Sequence, residues 1–435
     1  MRRSAPAVTV ALLCSAPLAR AAGAPVGPAV ADPGNTAWLL TATALVLSMT
    51  LPGLVAFYSG LVRNKNVLSI AMQCFAITCM VSVVWLVGGY GLVFGNGGAL
   101  EPLIGTLRGG GFAAIGRNAL HGDVPEAAFV MFQLTFAIIT PALVVGGFAE
   151  RMKFASMLLF STLWLIVVYL PVAHWVWGGG WLERLGVLDF AGGIVVHVTA
   201  GVGALVSALV LRERKGFPHT AMPPHNMSLT ILGAGMLWVG WFGFNGGSAL
   251  AANGSAAMAI LVTQLGAACG ALTWMVLEWR QFGKPSVLGI VTGMVAGLGT
   301  ITPASGFVGP FGALCIGIAA GLVCFFATQL IKRRLHIDDA LDVSPVHGAG
   351  GALGTVLTGV FVAARFGGIG YAQGMDMLRQ VGVQLLAVVA AGAWCALGTY
   401  LILKLVQATL GLRVSEDQER EGLDLAQHGE RAYND

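Results

Sequence analysis

Long apolar stretches separated by short polar segments dominate the chain from residue 36 onward. A membrane-spanning helix needs about 20 consecutive apolar residues, and eleven stretches reach or approach that length. The pattern predicts an all-α integral membrane protein with about eleven transmembrane helices, the last of which is long enough to require tilting. The predicted helices lie near residues 36–60, 67–94, 125–148, 154–175, 189–211, 226–247, 253–278, 286–303, 308–331, 344–363 and 377–410.

Basic residues are concentrated in every second connecting segment, and the intervening segments hold few of them. Cytoplasmic loops of membrane proteins are enriched in lysine and arginine. The pattern therefore predicts that the N terminus lies outside and that the tail, residues 412–435, lies in the cytoplasm. The basic residues of the predicted cytoplasmic loops are Arg63, Lys65, Arg151, Lys153, Arg212, Arg214, Lys215, Arg280, Lys284, Lys332, Arg333 and Arg334.

The first residues differ in pattern from the rest of the chain. Two arginines precede a modest apolar run and then an Ala-Arg-Ala sequence that ends at Ala21, which is typical of a secretory signal peptide. We expect a signal peptide over residues 1–22, with cleavage between Ala21 and Ala24, and a transmembrane domain over residues 32–411. An uncleaved first helix is the alternative interpretation.

Composition agrees with a membrane protein and excludes several kinds of site. Charged residues make up 10% of the 435 residues, whereas an ordinary soluble domain has roughly a quarter. The 62 glycines are typical of membrane helices that pack closely through small residues. The seven cysteines form no CxxC pair, so neither a disulfide framework nor a zinc site is predicted.

Three residue types recur at constant spacing in two helices that are predicted to enter the membrane from opposite sides. In each copy an aspartate precedes a histidine by eight residues, and a glycine follows the histidine by four. A repeat of this kind predicts a five-plus-five inverted architecture, with an additional long C-terminal helix and a working site near the midplane. The matching residues are Asp189, His197 and Gly201 in the first copy, and Asp339, His347 and Gly351 in the second.

The two histidines are the first candidates for function. Each lies eight residues past a helix start, which is about 12 Å along a helix axis, so both reach mid-membrane and can meet. A lone buried histidine is usually a satisfied core residue, but ionisable residues in pseudo-symmetric positions within lipid indicate a pathway. A pair of neutral imidazoles sharing a hydrogen bond offers one polar strip in an apolar pore. His197 and His347 are therefore predicted to line a pore.

The two aspartates have a structural and a functional interpretation. A carboxylate at a helix start accepts hydrogen bonds from free backbone N–H groups and interacts favourably with the helix dipole. Capping is the favoured interpretation of both Asp189 and Asp339. Asp189 could also supply negative potential at the outer mouth.

Aromatic residues gather at the predicted outer ends of three helices. Interfacial aromatic belts are common, so a belt is one interpretation. The other is a small cage, because ring faces attract cations and the hydroxyl of Ser248 accepts a hydrogen bond. Such a cage suits a small cation with N–H groups. The aromatic candidates are Phe132 and Phe136 in "MFQLTF", Trp177 in "AHWVWGGG", and Trp241 and Phe244 in "GWFGFNGGS".

Several stretches together resemble the ammonium transporter family (Amt/Mep/Rh), and specifically its bacterial Amt branch. The motifs cover nearly the whole chain after the leader and are highly specific. They are "DFAGGIVVH", "AHWVWGGG", "WFGFNGGS", "GKPSVLG", "DDALDVSPVHG" and the tail "LRVSEDQEREGLDLAQHGERAYND".

The resemblance implies a fold, a site and partners. It implies a homotrimer of eleven-helix subunits in a bacterial inner membrane, each with its own pore. It also implies a transporter without cofactor or nucleic-acid partner, and a PII-family signalling protein docking on the cytoplasmic tail. By motif, an outer recruitment site corresponds to Phe136, Trp177 and Ser248; a phenyl gate to Phe132, Phe136 and Phe244; the twin histidines to His197 and His347; and structural or entrance positions to Asp189, Trp241 and Asp339.

The family mechanism implied by the resemblance is recruitment of ammonium, loss of its proton, and passage of ammonia past the histidines, with the proton moving separately. Ser344 and Pro345 depart from the aromatic and small residues that bacterial members often carry before the second histidine. Proline is tolerated in a first helical turn, so His347 is still expected in place.

Three alternatives remain open at this point. A membrane cytochrome would use the two histidines as axial haem ligands. A sensor of the same fold would bind ammonium and signal through a partner without much flux, although the short tail favours transport. A neutral-gas conduit of the Rh type is the nearest relative, and Trp177 with Ser248 favours ammonium.

Overall fold

The apolar stretches form helices in the computed structural model of the chain, which describes residues 30–107 and 115–433. Ten helices in this part are long and apolar enough to cross a membrane. An eleventh, α10, combines Ser344–Ala349 and Gly350–Phe361 and is less apolar because it contains Pro345, His347 and several glycines. The ten are α1 Pro33–Leu61, α2 Asn64–Phe94, α3 Glu126–Phe148, α4 Phe154–Arg184, α5 Gly193–Leu211, α6 Met227–Gly247, α7 Gly254–Phe282, α8 Val287–Ala304, α9 Pro310–Arg334 and α11 Met377–Thr409.

The all-α membrane architecture is therefore confirmed, and the count of eleven spans stays a prediction. Helix α11 has 33 residues, which at 1.5 Å per residue is about 50 Å. That length exceeds the ~30 Å hydrocarbon core, so α11 must tilt or extend beyond it. The predicted signal peptide lies outside the described residues.

Side-chain caps define where several helices begin. In each case an oxygen of the side chain before the first turn accepts a backbone N–H of that turn, which satisfies donors that otherwise have no partner. The capping residues are Asp32, Asn226, Asn253, Ser286 and Asp376.

The chain between α2 and α3 contains a short hairpin of β1, Leu120–His121, and β2, Val124–Pro125.

The predicted repeat also appears in backbone geometry. The first turn of α5, Gly193–Val198, and the first turn of α10, Ser344–Ala349, are both π-helical, and each contains one of the two histidines. Gly192 and Asp342 precede these turns and lie 150 positions apart in the sequence. Both have left-handed backbone, with φ of 110° and 59°. The two copies of the repeat thus share the same local backbone at the turns that carry the histidines.

Glycines allow α5 and α10 to cross at very short distance. A Cβ added at Gly201 would lie 2.2 Å from the backbone of Gly348, and one at Gly351 would lie 2.7 Å from the carbonyl oxygen of Gly193. In membranes, where helices associate by packing, small residues permit such close approach. The repeated glycines thus bring the two histidine-bearing turns together.

A buried ion network ties together the loops that follow α3, α5 and α9. The Arg214 guanidinium binds both carboxylate oxygens of Asp338, at 2.7 and 2.9 Å, and approaches Glu150 at 3.2 Å. Arg151 donates to the carbonyl oxygen of Asp338 at 2.6 Å. Burial alone would raise the pKa of the Asp338 carboxyl, but the hydrogen bonds and charge of Arg214, with the charge of Arg151, lower it to about 2.

The tail packs against these loops through two short helical segments, α12 Glu416–Glu421 and α13 Asp424–His428. Glu419 accepts from the Lys215 backbone at 2.6 Å and pairs with Arg413 at 2.7 Å. Asp424 accepts from the Ser69 backbone N–H at 2.7 Å. The polar composition of the tail cannot support a fold by itself, and these contacts show that the body of the protein holds it in place.

Candidate functional site

Three cavities follow one another through the protein. The first, the Trp177 cavity, has a volume of about 240 Å³ and is lined by Phe136, Trp177 and Ser248, among others. The second, the histidine cavity, measures about 10 Å³ and is lined by Phe244 and both histidines. The third, the Lys332 cavity, measures about 110 Å³ and shares His347 with the second. The candidate site is this series, which brings most of the sequence-predicted residues onto one path.

The Trp177 cavity is lined by several aromatic rings, by the Ser248 hydroxyl and by the Glu183 carboxylate. Trp177 is fixed because its indole N–H donates to the carbonyl oxygen of Asp189 at 2.9 Å. Its ring meets Phe136 edge to face, with centroids 5.8 Å apart. The Ser248 hydroxyl donates to the carbonyl oxygen of Phe244 at 2.8 Å, which leaves its oxygen free to accept. Aromatic faces attract cations, so this wall can hold a cation that also donates N–H bonds.

Two phenyl rings separate the Trp177 cavity from the histidine cavity. Phe136 lines the first and Phe244 the second, and their ring centroids are 4.3 Å apart at 35°. Phe132, the third residue that the motif assigns to the gate, lines none of the three cavities and packs edge-on against Phe136, with centroids 5.0 Å apart. It therefore supports the ring pair from behind.

The two histidines lie within hydrogen-bond distance. Their Nδ1 atoms are 3.2 Å apart, so one ring donates and the other accepts, and exchange of tautomers reverses the roles. The Nε2 atom of His197 is buried and has no hydrogen-bond partner among the described residues. His197 lines the histidine cavity, and this nitrogen keeps its capacity to donate or accept a hydrogen bond. This separation leaves no room for a macrocycle between the rings, which argues against the haem alternative.

Trp241, to which the motif gives a structural or entrance role, lies beside His197. Its ring is 5.6 Å from His197 at an angle of 27°, and its indole N–H donates to the Thr302 hydroxyl at 2.8 Å. Trp241 precedes Phe244 by almost one helical turn on α6. It consequently forms a wall of the histidine cavity.

Both repeat aspartates hold the turns that carry the histidines. One Asp189 oxygen accepts from the backbone N–H groups of Gly192 and Gly193, at 2.8 and 2.6 Å, and the other accepts from those of Ile194 and Val195. Asp339 accepts from the backbone N–H and the hydroxyl of Ser344, both at 2.6 Å. The unusual Ser344 thus adds a side-chain bond to this cap. In both copies the carboxylate is directed at the helix start.

The Lys332 cavity contains residues that sequence reasoning missed. Lys332 and Asp342 form an ion pair at 2.8 Å on its wall, and the Tyr58 hydroxyl donates to the carbonyl oxygen of Leu143 at 3.1 Å. In the Trp177 cavity, His121 stacks on Phe129 at 3.6 Å between ring centroids. These residues belong to different helices and loops, so no local pattern in the sequence indicated that they meet.

Comparison with known proteins decides the family. A sequence model described as the Ammonium Transporter Family matches residues 37–433. The chain belongs to the ammonium transporter family. It is 46% identical over 408 residues to an ammonium transporter of Bacillus subtilis, with 92% of this chain and 99% of that protein covered. It is 47% identical over 406 residues to an ammonium transporter of Aquifex aeolicus, with 93% and 94% covered.

Solved structures of this family have the same fold. The Mep2 crystal structure from Saccharomyces cerevisiae matches with a TM-score of 0.78 at 38% identity, covering 89% of this chain and 91% of that one. A structure described as a sensor Amt protein matches with a TM-score of 0.84 at 31% identity, covering 91% and 98%. The predicted family and membrane fold are confirmed, and the chain is an ammonium transporter family member rather than an enzyme.

Proposed function

We propose that this ammonium transporter binds ammonium in the Trp177 cavity and conducts ammonia past the histidine pair. The observation that supports this most is the order of the three cavities. A wide cavity with a tryptophan ring and a free serine oxygen is followed by a volume of about 10 Å³, which is on the order of one water molecule. A hydrated cation does not fit that volume.

The charge must be lost before the histidine cavity is entered. The wall of that cavity is formed by Leu54, Ile139, Leu143, Val196 and Leu237, with the aromatic rings and the two histidines. An unpaired cation in such surroundings is strongly disfavoured, whereas a neutral amine needs only one or two hydrogen bonds. We infer that ammonium gives up its proton near the Phe136–Phe244 ring pair.

The histidine pair then serves the neutral molecule and offers a route for the proton. In either tautomer one outer Nε2 atom accepts and the other carries N–H, so ammonia finds both kinds of partner. Transfer of a proton onto one Nε2 atom, across the 3.2 Å Nδ1–Nδ1 contact, and off the other moves one positive charge along the pair. The proton thus travels by a separate hydrogen-bonded path beside the ammonia.

Substitution of the histidines tests this mechanism. His197→Ala leaves the His347 ring without its partner, which costs about 1–3 kcal/mol in lost hydrogen bonding, and ammonium current in proteoliposomes should be lost. His197→Asp or His347→Glu should instead admit potassium, because a mid-membrane carboxylate can hold a cation. Wild-type ammonium current in a correctly folded alanine variant would show that the pair serves only packing.

The oligomeric state, membrane orientation and partner of the transporter belong to the same proposal. We infer a homotrimer in the bacterial inner membrane, with the Trp177 cavity on the outside and the tail in the cytoplasm, where a PII-family protein docks. The basic loops and the tail that packs on them support this orientation by the positive-inside rule. The leader implies a chain that starts between residues 22 and 25, and N-terminal sequencing of the membrane-purified protein tests it; an intact Met1 contradicts it.

A further inference from the structure

The Lys332 cavity contains a carboxylate with one oxygen paired and one oxygen free. Asp342 accepts from the Lys332 ammonium group at 2.8 Å through Oδ2. Its Oδ1 atom is buried and has no hydrogen-bond partner among the described residues. Both side chains remain partly exposed, 30% for Lys332 and 23% for Asp342, and both line the same cavity as His347. The cavity therefore reaches the carboxylate on the side of the Lys332 ion pair, while Oδ1 is enclosed by protein.

The backbone at this position favours glycine, yet it carries a carboxylate. Asp342 has φ of 59°, and the matching position of the other repeat is Gly192, with φ of 110°. Left-handed backbone is unfavourable for an ordinary residue, which glycine avoids and aspartate only partly avoids. Glycine is sufficient for the turn to adopt this backbone conformation, as Gly192 in the first copy shows. The carboxylate in the second copy therefore needs a reason beyond the turn.

The Lys332 head group shows what the carboxylate binds. A lysine side chain ends in a primary ammonium group with three N–H donors, and it is held here in hydrogen-bond geometry. A free ammonium ion has the same charge and the same donor type. Lys332 Nζ thus occupies a place beside the Asp342 carboxylate in which a free ammonium ion can make the same hydrogen bond.

We propose that Asp342 is an ammonium-binding residue at the cytoplasmic end of the pathway, and that Lys332 competes with the free ion for it. This rests on the proposed function. The cavity of about 110 Å³ holds several waters at about 10–15 Å³ each, so an ion here is hydrated, unlike a molecule in the histidine cavity. Binding involves only exchange of hydrogen-bonded partners, with no covalent change. The competition keeps the affinity low, so that the ion is released.

The test is ammonium current in proteoliposomes. A C-terminal affinity tag separates vesicles by the orientation of the protein, so that ammonium can be applied either to the face with the tail or to the opposite face. Lys332→Gln removes the competitor and should lower the half-saturating ammonium concentration at the tail face by roughly two- to fivefold, as expected for one partly exposed ion pair. Asp342→Gly should raise it, and the double variant should behave as Asp342→Gly. Asp342→Asn, which also tolerates left-handed backbone, is a second folded variant for the same loss.

Lys215→Gln is the matched control, because Lys215 forms an ion pair with Glu416 at 2.7 Å on the same face but outside the cavity. It should leave both half-saturating concentrations unchanged. Unchanged values at the tail face in Lys332→Gln and Asp342→Gly, or equal shifts at both faces, would overturn the inference while leaving the proposed transport intact. Absence of ammonium current in the wild-type protein would instead contradict the proposed function itself.

Discussion

The close crossing of α5 and α10 makes Gly201→Ala a sharp test of how the histidines are placed. The new Cβ would lie 2.2 Å from Gly348, whereas ordinary contact begins at 3.4 Å, so the two helices must separate locally by at least 1.2 Å. The Nδ1–Nδ1 distance between His197 and His347 is already 3.2 Å, and hydrogen bonds weaken rapidly beyond that range. We therefore expect the imidazole pair to be broken.

The cost to stability should be moderate. Overpacking of this kind costs about 1–3 kcal/mol, and replacing a helical glycine by alanine returns up to about 1 kcal/mol. The net loss of about 0–3 kcal/mol leaves a folded protein, so loss of transport can be separated from loss of structure. Gly235→Ala on α6 is the matched control, because its Cβ would meet nothing within 4 Å.

The assay compares ammonium current in proteoliposomes with the thermal melting of the same detergent-purified variants. Gly201→Ala should lose most of the current with a melting temperature close to that of the wild type, and Gly235→Ala should change neither. Full current in Gly201→Ala would refute the reasoning, because it would show that transport does not depend on the close crossing of the two repeat helices.

Three further predictions concern the entrance, the loops and the tail. Trp177→Leu removes a cation–π face worth about 0.5–2 kcal/mol, so discrimination of ammonium against neutral amines should fall; unchanged selectivity would indicate an interfacial belt only. Because the folded-state pKa of Asp338 is lowered to about 2, its stabilising contribution of about 2–3 kcal/mol is present above pH ~4 and lost as pH falls through about 2. The melting difference between wild type and Asp338→Asn should follow that curve, and a pH-independent difference would contradict it. Deleting the chain from Ser415 should abolish co-purification of a PII protein, and undiminished binding would count against the proposed docking surface.

Much of the fold followed from the sequence because lipid imposes simple rules. Helix length, alternation of basic loops and apolar composition are each local properties of the chain, and the described helices agree with the predicted ranges within a few residues at most ends. The histidine pair was also predictable, because identical residue types recur 150 positions apart. A constant offset is visible in one sequence without any structure.

What the sequence did not reveal depends on residues that differ between the repeats or come from separate helices. Gly192 and Asp342 share the same offset and the same left-handed backbone, but their residue types do not match. The stacking of Trp241 beside His197 could not be predicted, because the motif does not show which residues of α5 face α6. The Lys332–Asp342 pair joins the end of α9 to the segment before α10, which only the folded chain brings together.

The small volume between the phenyl rings and the histidines has a consequence for leakage. A space of about 10 Å³ is occupied by one small molecule at a time, so ammonia and water must take turns in it. A water molecule that could relay protons occupies this space only while the substrate is absent. Uncoupled proton flow should therefore decline as the ammonium concentration rises, because the substrate displaces the water that would carry it.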